Sequence, residues 1–285
     1  PAPQIHATGT EAAAGDNSLI IVSGAIKGSQ TMQGNQTLQG GGSTIAVRGR
    51  TSGLVVPFTA PGAPARLTEP TANSSNLWLA GSNTHITGLG IVGYGEGTEH
   101  GVEIGSDESN VFLTNLDVSW IGASGIHAAD RNQSSIMDVN TALVGEDGVS
   151  VNANNTIVIA VVSITDALYN GIDIGSRNQA TIRDVDIRNA GISGINIEYD
   201  NVDIVVDRVS ITDAGSVGIF VHNDNTGSIS IRHTEIAGAG VSGIYIGNAN
   251  EDITIANVSI ADVDESGIYI GEDNTVDIVG TSIAN

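Results

Sequence analysis

Hydrophobic and polar residues alternate along most of the chain with a period of two, in short runs that end at polar turns. The stretch GIDIGSRNQATI, residues 171–182, is one example: a short alternating run, a polar turn and a second alternating run. Alternation of this kind is typical of β-strands with one buried face. No repeat has room for a helix of useful length, so the pattern predicts an all-β protein.

The strand-like runs recur every 23 to 25 residues. A Gly-Ile or Gly-Val pair marks the repeat at Gly101, Gly125, Gly148, Gly171, Gly194, Gly218, Gly243 and Gly267. Stepping back in the same register reaches Asn76 and then Gly53. Three short strands fit in each repeat. Parallel stacking of each strand on the equivalent strand of the next repeat predicts a right-handed parallel β-helix. About eleven or twelve coils of about 4.8 Å each would give a rod roughly 50–60 Å long.

Within each repeat, the first and third residues after the marker glycine are aliphatic, as in Ile172 and Ile174. These positions predict an inward-facing stack of Ile and Val along the axis, which suits β-branched side chains on a pleated sheet. The second and fourth residues are predicted to face outward.

Asparagine recurs at the seventh position of the repeat. It tolerates left-handed backbone geometry, and its amide both donates and accepts hydrogen bonds. Regular recurrence through seven consecutive coils favours a structural ladder over a binding or catalytic site. The predicted ladder contains Asn83, Asn132, Asn155, Asn178, Asn201, Asn225, Asn250 and Asn274.

The domain organisation predicted is a lead-in over residues 1–18 followed by one β-helix over 19–285. Residues 57–75 hold four of the six prolines and predict a loop excursion from one coil. The chain ends in mid-coil without a polar capping repeat. Two interpretations follow: the chain is part of a longer stalk, or its end associates head to tail with another copy.

Charge and composition narrow the partners. The 285 residues carry a formal charge of −22, which repels nucleic acid and anionic lipid. There is no Cys, which suits an extracellular or cell-surface protein. No apolar run approaches the ~18 residues of a membrane span, so we expect no membrane insertion by this chain.

The three-strand repeat with its Asn-bearing turn, over residues 76–285, resembles the pectin-lyase-like right-handed β-helix superfamily. Upstream, the segments GDNSLIIVSGAIKG and NQTLQGGGSTIAVRGRTSG resemble β-helix passengers of bacterial autotransporter and inverse-autotransporter surface proteins. The first resemblance implies that any active site lies on the outer face of the first strand of each coil. The second implies a bacterial surface location.

On that outer face, the second position of each repeat holds Trp78, Glu103, His127, Ser150, Asp173, Asn196, Phe220, Tyr245 and Tyr269. Candidate glycan-binding residues are Trp78, His127, Asp173, Asn196, Phe220, Tyr245 and Tyr269, because rings stack on sugars and polar groups bind hydroxyls. If the protein is an enzyme, the catalytic candidates are Asp173, Glu198 and His222. Asp173 and Glu198 could reach the ~6.5–9.5 Å separation of inverting glycosidases. Ordinary solvated polar residues and a stabilising Tyr ladder are the alternative interpretation.

Motifs expected of enzymes in the superfamily are missing. There is no Asn-Thr-Asp, Asp-Asp and Gly-His-Gly set as in polygalacturonase-like members, and no Asp-Pro-His-Glu run as in alginate-epimerase-like members. The main prediction is therefore a non-catalytic extracellular stalk, adhesin passenger or filament-forming protein, with a glycan or surface receptor as partner. The alternative is a polysaccharide-binding module or a polysaccharide lyase, hydrolase or epimerase.

Calcium is the one cofactor that the sequence leaves open. The turns GSDESN and GEDN are rich in oxygen ligands, but each offers only two or three, and calcium takes six to eight. No repeated calcium-binding loop is present. We therefore predict no cofactor, with calcium in the turns as the alternative and no metal ligands assigned.

Overall fold

The computed structural model describes residues 18–48, 52–68, 74–95 and 97–284. Nearly all of the predicted lead-in lies outside these ranges. Within them, every regular element is a β-strand, and all but the two strands of one antiparallel hairpin stack in parallel into a solenoid. The predicted all-β parallel β-helix is confirmed.

One sheet contains the first strand of each coil and is called here the first-strand sheet. Its ten parallel strands have three or four register pairs with each neighbour, and none contains Lys or Arg. In chain order they are Gln30–Met32, Leu77–Leu79, Val102–Ile104, Ile126–Ala128, Val149–Val151, Ile172–Ile174, Ser193–Ile197, Val217–Val221, Ser242–Ile246 and Ser266–Ile270.

The remaining strands of the coils form the long sheet, which has sixteen strands. They are Leu19–Val22, Ala25–Lys27, Thr37–Gly40, Ala65–Thr68, His85–Val92, Ser109–Ile121, Gln133–Val144, Thr156–Ala167, Gln179–Ala190, Asp203–Ala214, Ser228–Arg232, Glu235–Ala239, Ile253–Ala256, Ser259–Val263, Val276–Val279 and Ser282–Ala284.

In the middle coils, the predicted second and third strands are one bent strand. A residue with left-handed backbone geometry marks each bend, such as Asp184 with a φ of 56° and Arg208 with a φ of 54°. The hydrogen-bonded register resumes on both sides of these residues. The chain therefore turns the corner of the coil without leaving the sheet.

The number of coils is smaller than predicted. Ten strands in the first-strand sheet make nine coil-to-coil steps, which at about 4.8 Å per step gives a rod about 43 Å long. The difference arises near Gly53, which is not a coil marker. Strand Gln30–Met32 pairs directly with Leu77–Leu79, so the intervening segment adds no strand to this sheet.

That intervening segment contains an antiparallel hairpin of strands Thr44–Arg48 and Val55–Thr59. The predicted excursion over 57–75 is therefore misplaced: the hairpin begins earlier, and Ala65–Thr68 already belongs to the long sheet. Residues 69–73 lie outside the described residues. The prolines misled the prediction because Pro57 does not lie in a loop. It lies within the hairpin strand Val55–Thr59, and a strand of a two-stranded sheet has an unpaired edge that tolerates proline.

The core is the predicted stack of aliphatic side chains. From Val102 to Ile246, the first and third residues after each marker glycine are at most 1% exposed. The stack ends at the last coil, where no further coil covers the inner face. Ile270 is therefore 40% exposed and Ile283 is 53% exposed.

A continuous asparagine ladder runs beside this core from Asn132 to Asn274. In each coil, the side-chain Oδ1 accepts a hydrogen bond from the backbone N–H of the equivalent residue one coil earlier. The distances are 2.7 Å from Asn155 to Asn178 and 2.8 Å from Asn178 to Asn201. At the first rung, the N–H of Glu108 donates to Asn132. Each rung thus satisfies a backbone donor that would otherwise be buried without a partner.

Asn83 is not part of that ladder. Its side chain is exposed, and it donates to Asn35 at 3.1 Å and accepts from Asn110 at 3.0 Å. The buried position in its coil belongs to Thr84, whose hydroxyl donates to the carbonyl of Gly81. The register shifts at Asn110, so counting residues from Asn76 assigned Asn83 to the wrong column.

The marker glycines have a steric cause. A Cβ on Gly171 would lie 2.5 Å from Cγ2 of Ile187 and 2.6 Å from the carbonyl oxygen of Gly194 in the next coil. A side chain here would separate two stacked coils or displace the core. The glycine column therefore sets the close approach of consecutive coils.

Gly171→Ala should lower the free energy of unfolding by about 1–3 kcal/mol, because the added methyl group overpacks a site bounded by backbone. Chemical denaturation followed by circular dichroism measures this. Gly105→Ala is the matched control, since its Cβ would meet nothing closer than 3.1 Å. Equal losses for the two variants would refute the steric explanation.

Candidate functional site

The second-position residues form one straight column on the outer face of the first-strand sheet. Strand pairing aligns Trp78 with Glu103, Glu103 with His127, and so on through Ser150, Asp173, Asn196, Phe220, Tyr245 and Tyr269. Hydrogen bonding fixes this register, so side chains far apart in sequence become neighbours. The column presents polar residues in its middle and rings at both ends.

A hydrogen-bonded chain links three neighbouring coils in the middle of the column. Asn196 Nδ2 donates to Oδ1 of Asp173 at 2.7 Å, and Asn196 Oδ1 lies 3.0 Å from Nε2 of His222. Because the amide oxygen only accepts, His222 must carry its proton on Nε2. The chain therefore has one direction, from the imidazole through the amide to the carboxylate.

Three carboxyl groups in or beside this hydrogen-bonded chain have raised pKa values. Burial raises the pKa of Asp173, and the amide of Asn196 opposes the rise by stabilising the charged form. Burial and the charge of Asp173 both raise the pKa of Glu198. Asp147 shows the largest shift: burial, followed by the charge of Asp173, raises its pKa to about 7. The charge of Asp173 therefore favours the protonated forms of Glu198 and Asp147, which suits one proton acceptor with a proton donor nearby in the same face.

Two histidines lie on the other side of the acids. The rings of His100 and His127 are stacked with centroids 4.4 Å apart. Burial, followed by the neighbouring His100, lowers the pKa of His127 to about 4. Burial also lowers the pKa values of His100 and His222. At neutral pH these imidazoles add no positive charge to the face.

Aromatic rings line the C-terminal end of the column. Phe220 stacks on His222 with centroids 3.9 Å apart, and Tyr245 stacks on Tyr269 at 4.5 Å. Tyr199 adds a tilted ring 5.1 Å from His222. At the N-terminal end, Trp78 is 46% exposed. Exposed ring faces of this kind are the usual contact surface for the apolar faces of sugars.

The sequence identified the column but missed residues that join it from the turns. Asp147 immediately precedes the marker Gly148, where its Oδ1 accepts the N–H of Asn170 at 2.9 Å. The signal was present, because Asn170 occupies the same position one coil later and accepts the N–H of Ser193 in turn. His100 and Tyr199 also lie in turns beside the sheet, where alternation assigns no face.

Basic side chains concentrate elsewhere. Arg183, Arg188, Arg208 and Arg232 project from the long sheet or its bends and pair with Asp184, Asp186 and Asp207. Arg131 pairs with Asp107 at the ladder turn. The charges of this surface are thus largely matched locally, whereas the column of Asp173 has no cationic neighbour in its strands.

No group of three or more His, Asp or Glu side chains in the described ranges is placed to hold a metal ion. No helix in these ranges is long and apolar enough to cross a membrane.

A model of the right-handed beta helix region matches residues 100–246 and again 147–285. The chain belongs to this family. The two matches overlap over residues 147–246, as expected for a repeat that fits the same model in more than one register. A comparison with curated proteins found no related sequence.

Solved structures share the fold over nearly the whole chain. An alginate lyase from Paenibacillus sp. str. FPU-7 superposes with a TM-score of 0.66 at 17% identity, covering 94% of each chain. The periplasmic alginate epimerase AlgG gives 0.55 at 11% identity, covering 94% of this chain and 77% of its own. The enzymatically active domain of tailspike protein 2 from bacteriophage CBA120 gives 0.57 at 12% identity, covering 93% and 38%. These identities establish a common fold.

Proposed function

We propose that the outer face of the first-strand sheet binds a polysaccharide and that Asp173 and Glu198 act on it by proton transfer, with His222 positioning Asn196. The observation that carries this proposal is the hydrogen-bonded chain from His222 through Asn196 to Asp173, with Glu198 coupled to Asp173. Half-buried carboxyl groups with raised pKa values are poorly suited to stabilising a fold, but they suit acid–base catalysis.

The hydrogen bonds and pKa shifts suggest a different catalytic role for each of the two carboxyl groups. Asp173 receives a hydrogen bond from the Asn196 amide, which stabilises its anion and makes it the proton acceptor. We assign the donor role to Glu198, because burial and the charge of Asp173 raise its pKa and so favour its protonated form. His222 positions Asn196, and the rings of Phe220 and Tyr245 hold sugar units on the C-terminal side.

The structural neighbours support a polysaccharide as the substrate. The three described above are named as an alginate lyase, an alginate epimerase and an enzymatically active tailspike domain. They also support a location outside the cytoplasm, since one is periplasmic and one belongs to a phage tailspike. We place this protein in the periplasm or at the cell surface, with a glycan as its partner.

Tyr245→Ala should weaken glycan binding about 2- to 10-fold, because one stacking contact is worth about 0.5–1.5 kcal/mol. Binding to immobilised polysaccharides by biolayer interferometry measures this, together with release of reducing ends. Tyr94→Ala is the matched control, since Tyr94 is 61% exposed and lies off the column. Equal losses in both variants, or no glycan binding by the wild type, would contradict the proposal.

The second candidate function is a non-catalytic stalk or adhesin passenger that associates end to end. The unbroken asparagine ladder from Asn132 to Asn274 favours it, because regular stacking of coils makes a rigid rod. Size-exclusion chromatography with light scattering tests association. A monomer at all concentrations would exclude the filament, and glycan turnover would exclude a purely structural role.

A further inference from the structure

We propose that the glycan accepted by this face is uncharged and that it is cleaved by hydrolysis, so that uronate polymers are poor substrates. This inference rests on the proposed function and adds the substrate class. It comes from the distribution of charge over the two sheets.

The first-strand sheet presents acids without cations. Its ten strands contain no Lys or Arg, and its outer column holds Glu103 and Asp173, with Glu198 two residues beyond Asn196. Glu146 and Asp147 lie in the adjoining turn. The histidines do not compensate, since burial lowers the pKa values of His127, His100 and His222. At neutral pH a ligand on this face therefore meets a net negative potential.

The arginines of the long sheet cannot supply the missing charge. Arg208 forms bonds to Asp184 and Asp207, and Arg232 approaches Asp207 at 3.3 Å. Arg188 contacts Asp186 at 2.7 Å. These residues project from a different face of the solenoid and are already paired with carboxylates.

A uronate polymer carries one carboxylate on every sugar, so several would lie along the acidic column. Like charges in a half-buried site cost more than in water, because the local dielectric constant is lower. Elimination from a uronate is also favoured by a cation that neutralises its carboxylate, and the strands of this sheet offer none. An uncharged sugar meets neither obstacle, and its hydroxyls can bind Asp173, Asn196 and Glu198 directly.

Hydrolysis balances with the groups present. Glu198 donates its proton to the glycosidic oxygen as the bond from that oxygen to the anomeric carbon breaks. A water oxygen forms the new bond to the anomeric carbon and gives its proton to Asp173. Transfer of that proton through solvent returns Glu198 to its protonated form and Asp173 to its anion. No oxidant, reductant or metal takes part.

The test is a binding and turnover comparison on an array of immobilised polysaccharides. Neutral glucans, mannans and galactans are set against alginate and polygalacturonate, at low and high salt, with calcium or with chelator. We expect a neutral glycan to bind with little salt dependence and to yield reducing ends. In chelator and low salt, we expect both uronates to bind at least about 10-fold more weakly, without unsaturated products.

Glu103→Gln provides a charge readout within the same face, because Glu103 is in the column but not among the reacting groups. It should strengthen uronate binding at low salt, and by a larger factor than it changes neutral-glycan binding. Glu235→Gln, on the long sheet, should change neither. Calcium-independent uronate binding as tight as neutral-glycan binding, or an unsaturated product, would overturn this inference and leave the proposed function intact. Absence of binding to every polymer would overturn both.

Discussion

Asp173→Asn is expected to lower glycan turnover by about 100-fold or more, the range lost with a general acid or base, while glycan binding stays within about 3-fold. The substituted amide has the same shape as the carboxylate and keeps an oxygen to accept the bond from Asn196. What it loses is the ability to take a proton. Initial rates of reducing-end release, with binding measured separately, distinguish the two effects.

The pH profile gives a second readout of the same variant. The charge of Asp173, together with burial, raises the pKa of Glu198, and the donor role requires Glu198 to be protonated. Asp173→Asn removes that charge, so the pKa of Glu198 falls. The alkaline limb of the residual activity should therefore move to lower pH. A limb that stays in place would show that the charge of Asp173 does not act on the proton donor.

Asp203→Asn is the matched control, because Asp203 is an exposed acid at the start of a strand in the long sheet. It makes the same change in net charge at a distance from the column. If Asp203→Asn reduced turnover as much as Asp173→Asn, the assignment of Asp173 as the proton acceptor would be wrong.

Asn178→Ala is expected to lower the free energy of unfolding by about 1–3 kcal/mol, because it leaves one buried backbone donor without an acceptor. The N–H of Asn155 loses its acceptor at 2.7 Å, and the carbonyl of Asn152 loses the donor Nδ2 of Asn178 at 2.7 Å. Chemical denaturation and thermal melting measure the loss. Asn178 is fully buried, so glycan binding by the folded variant should be unchanged.

Gln179→Ala tests the neighbouring position, where the side chain is exposed on the same turn. Its expected effect is within about 0.5 kcal/mol, as for most surface substitutions. A loss of binding by Asn178→Ala at an unchanged melting temperature would mean that this asparagine serves a ligand and not the ladder.

The fold follows from the sequence because its information is periodic. Each coil repeats the choices of its neighbour, so the inward Ile172 and Ile174, the marker glycine and the ladder asparagine support one another in every turn. One misjudged residue cannot hide such a pattern. Prediction failed where periodicity fails, at the hairpin of Thr44–Thr59 and at the register shift of Asn110.

Only part of the candidate site could be predicted from the sequence, for a related reason. Alternation places Asp173 and Asn196 on the outer face, and stacking makes them neighbours. Alternation does not assign turn residues to a face. It therefore could not predict that Asp147, whose pKa is raised by burial and by the charge of Asp173, belongs to the site. The direction of the bond from His222 also depends on side-chain geometry that no spacing encodes.

The asparagine ladder has a direction, and this gives the solenoid two unlike ends. Every rung from Glu108 to Asn250 depends on an acceptor supplied by the coil that follows it. Fraying of the last coil removes the acceptor for Asn250 and exposes the next rung, whereas fraying at the start removes only a donor. Loss of order that begins at Asn274 should therefore leave one ladder N–H after another without its acceptor, in the direction of Asn132. Among the ladder residues, backbone amides near Asn132 should then exchange with solvent last.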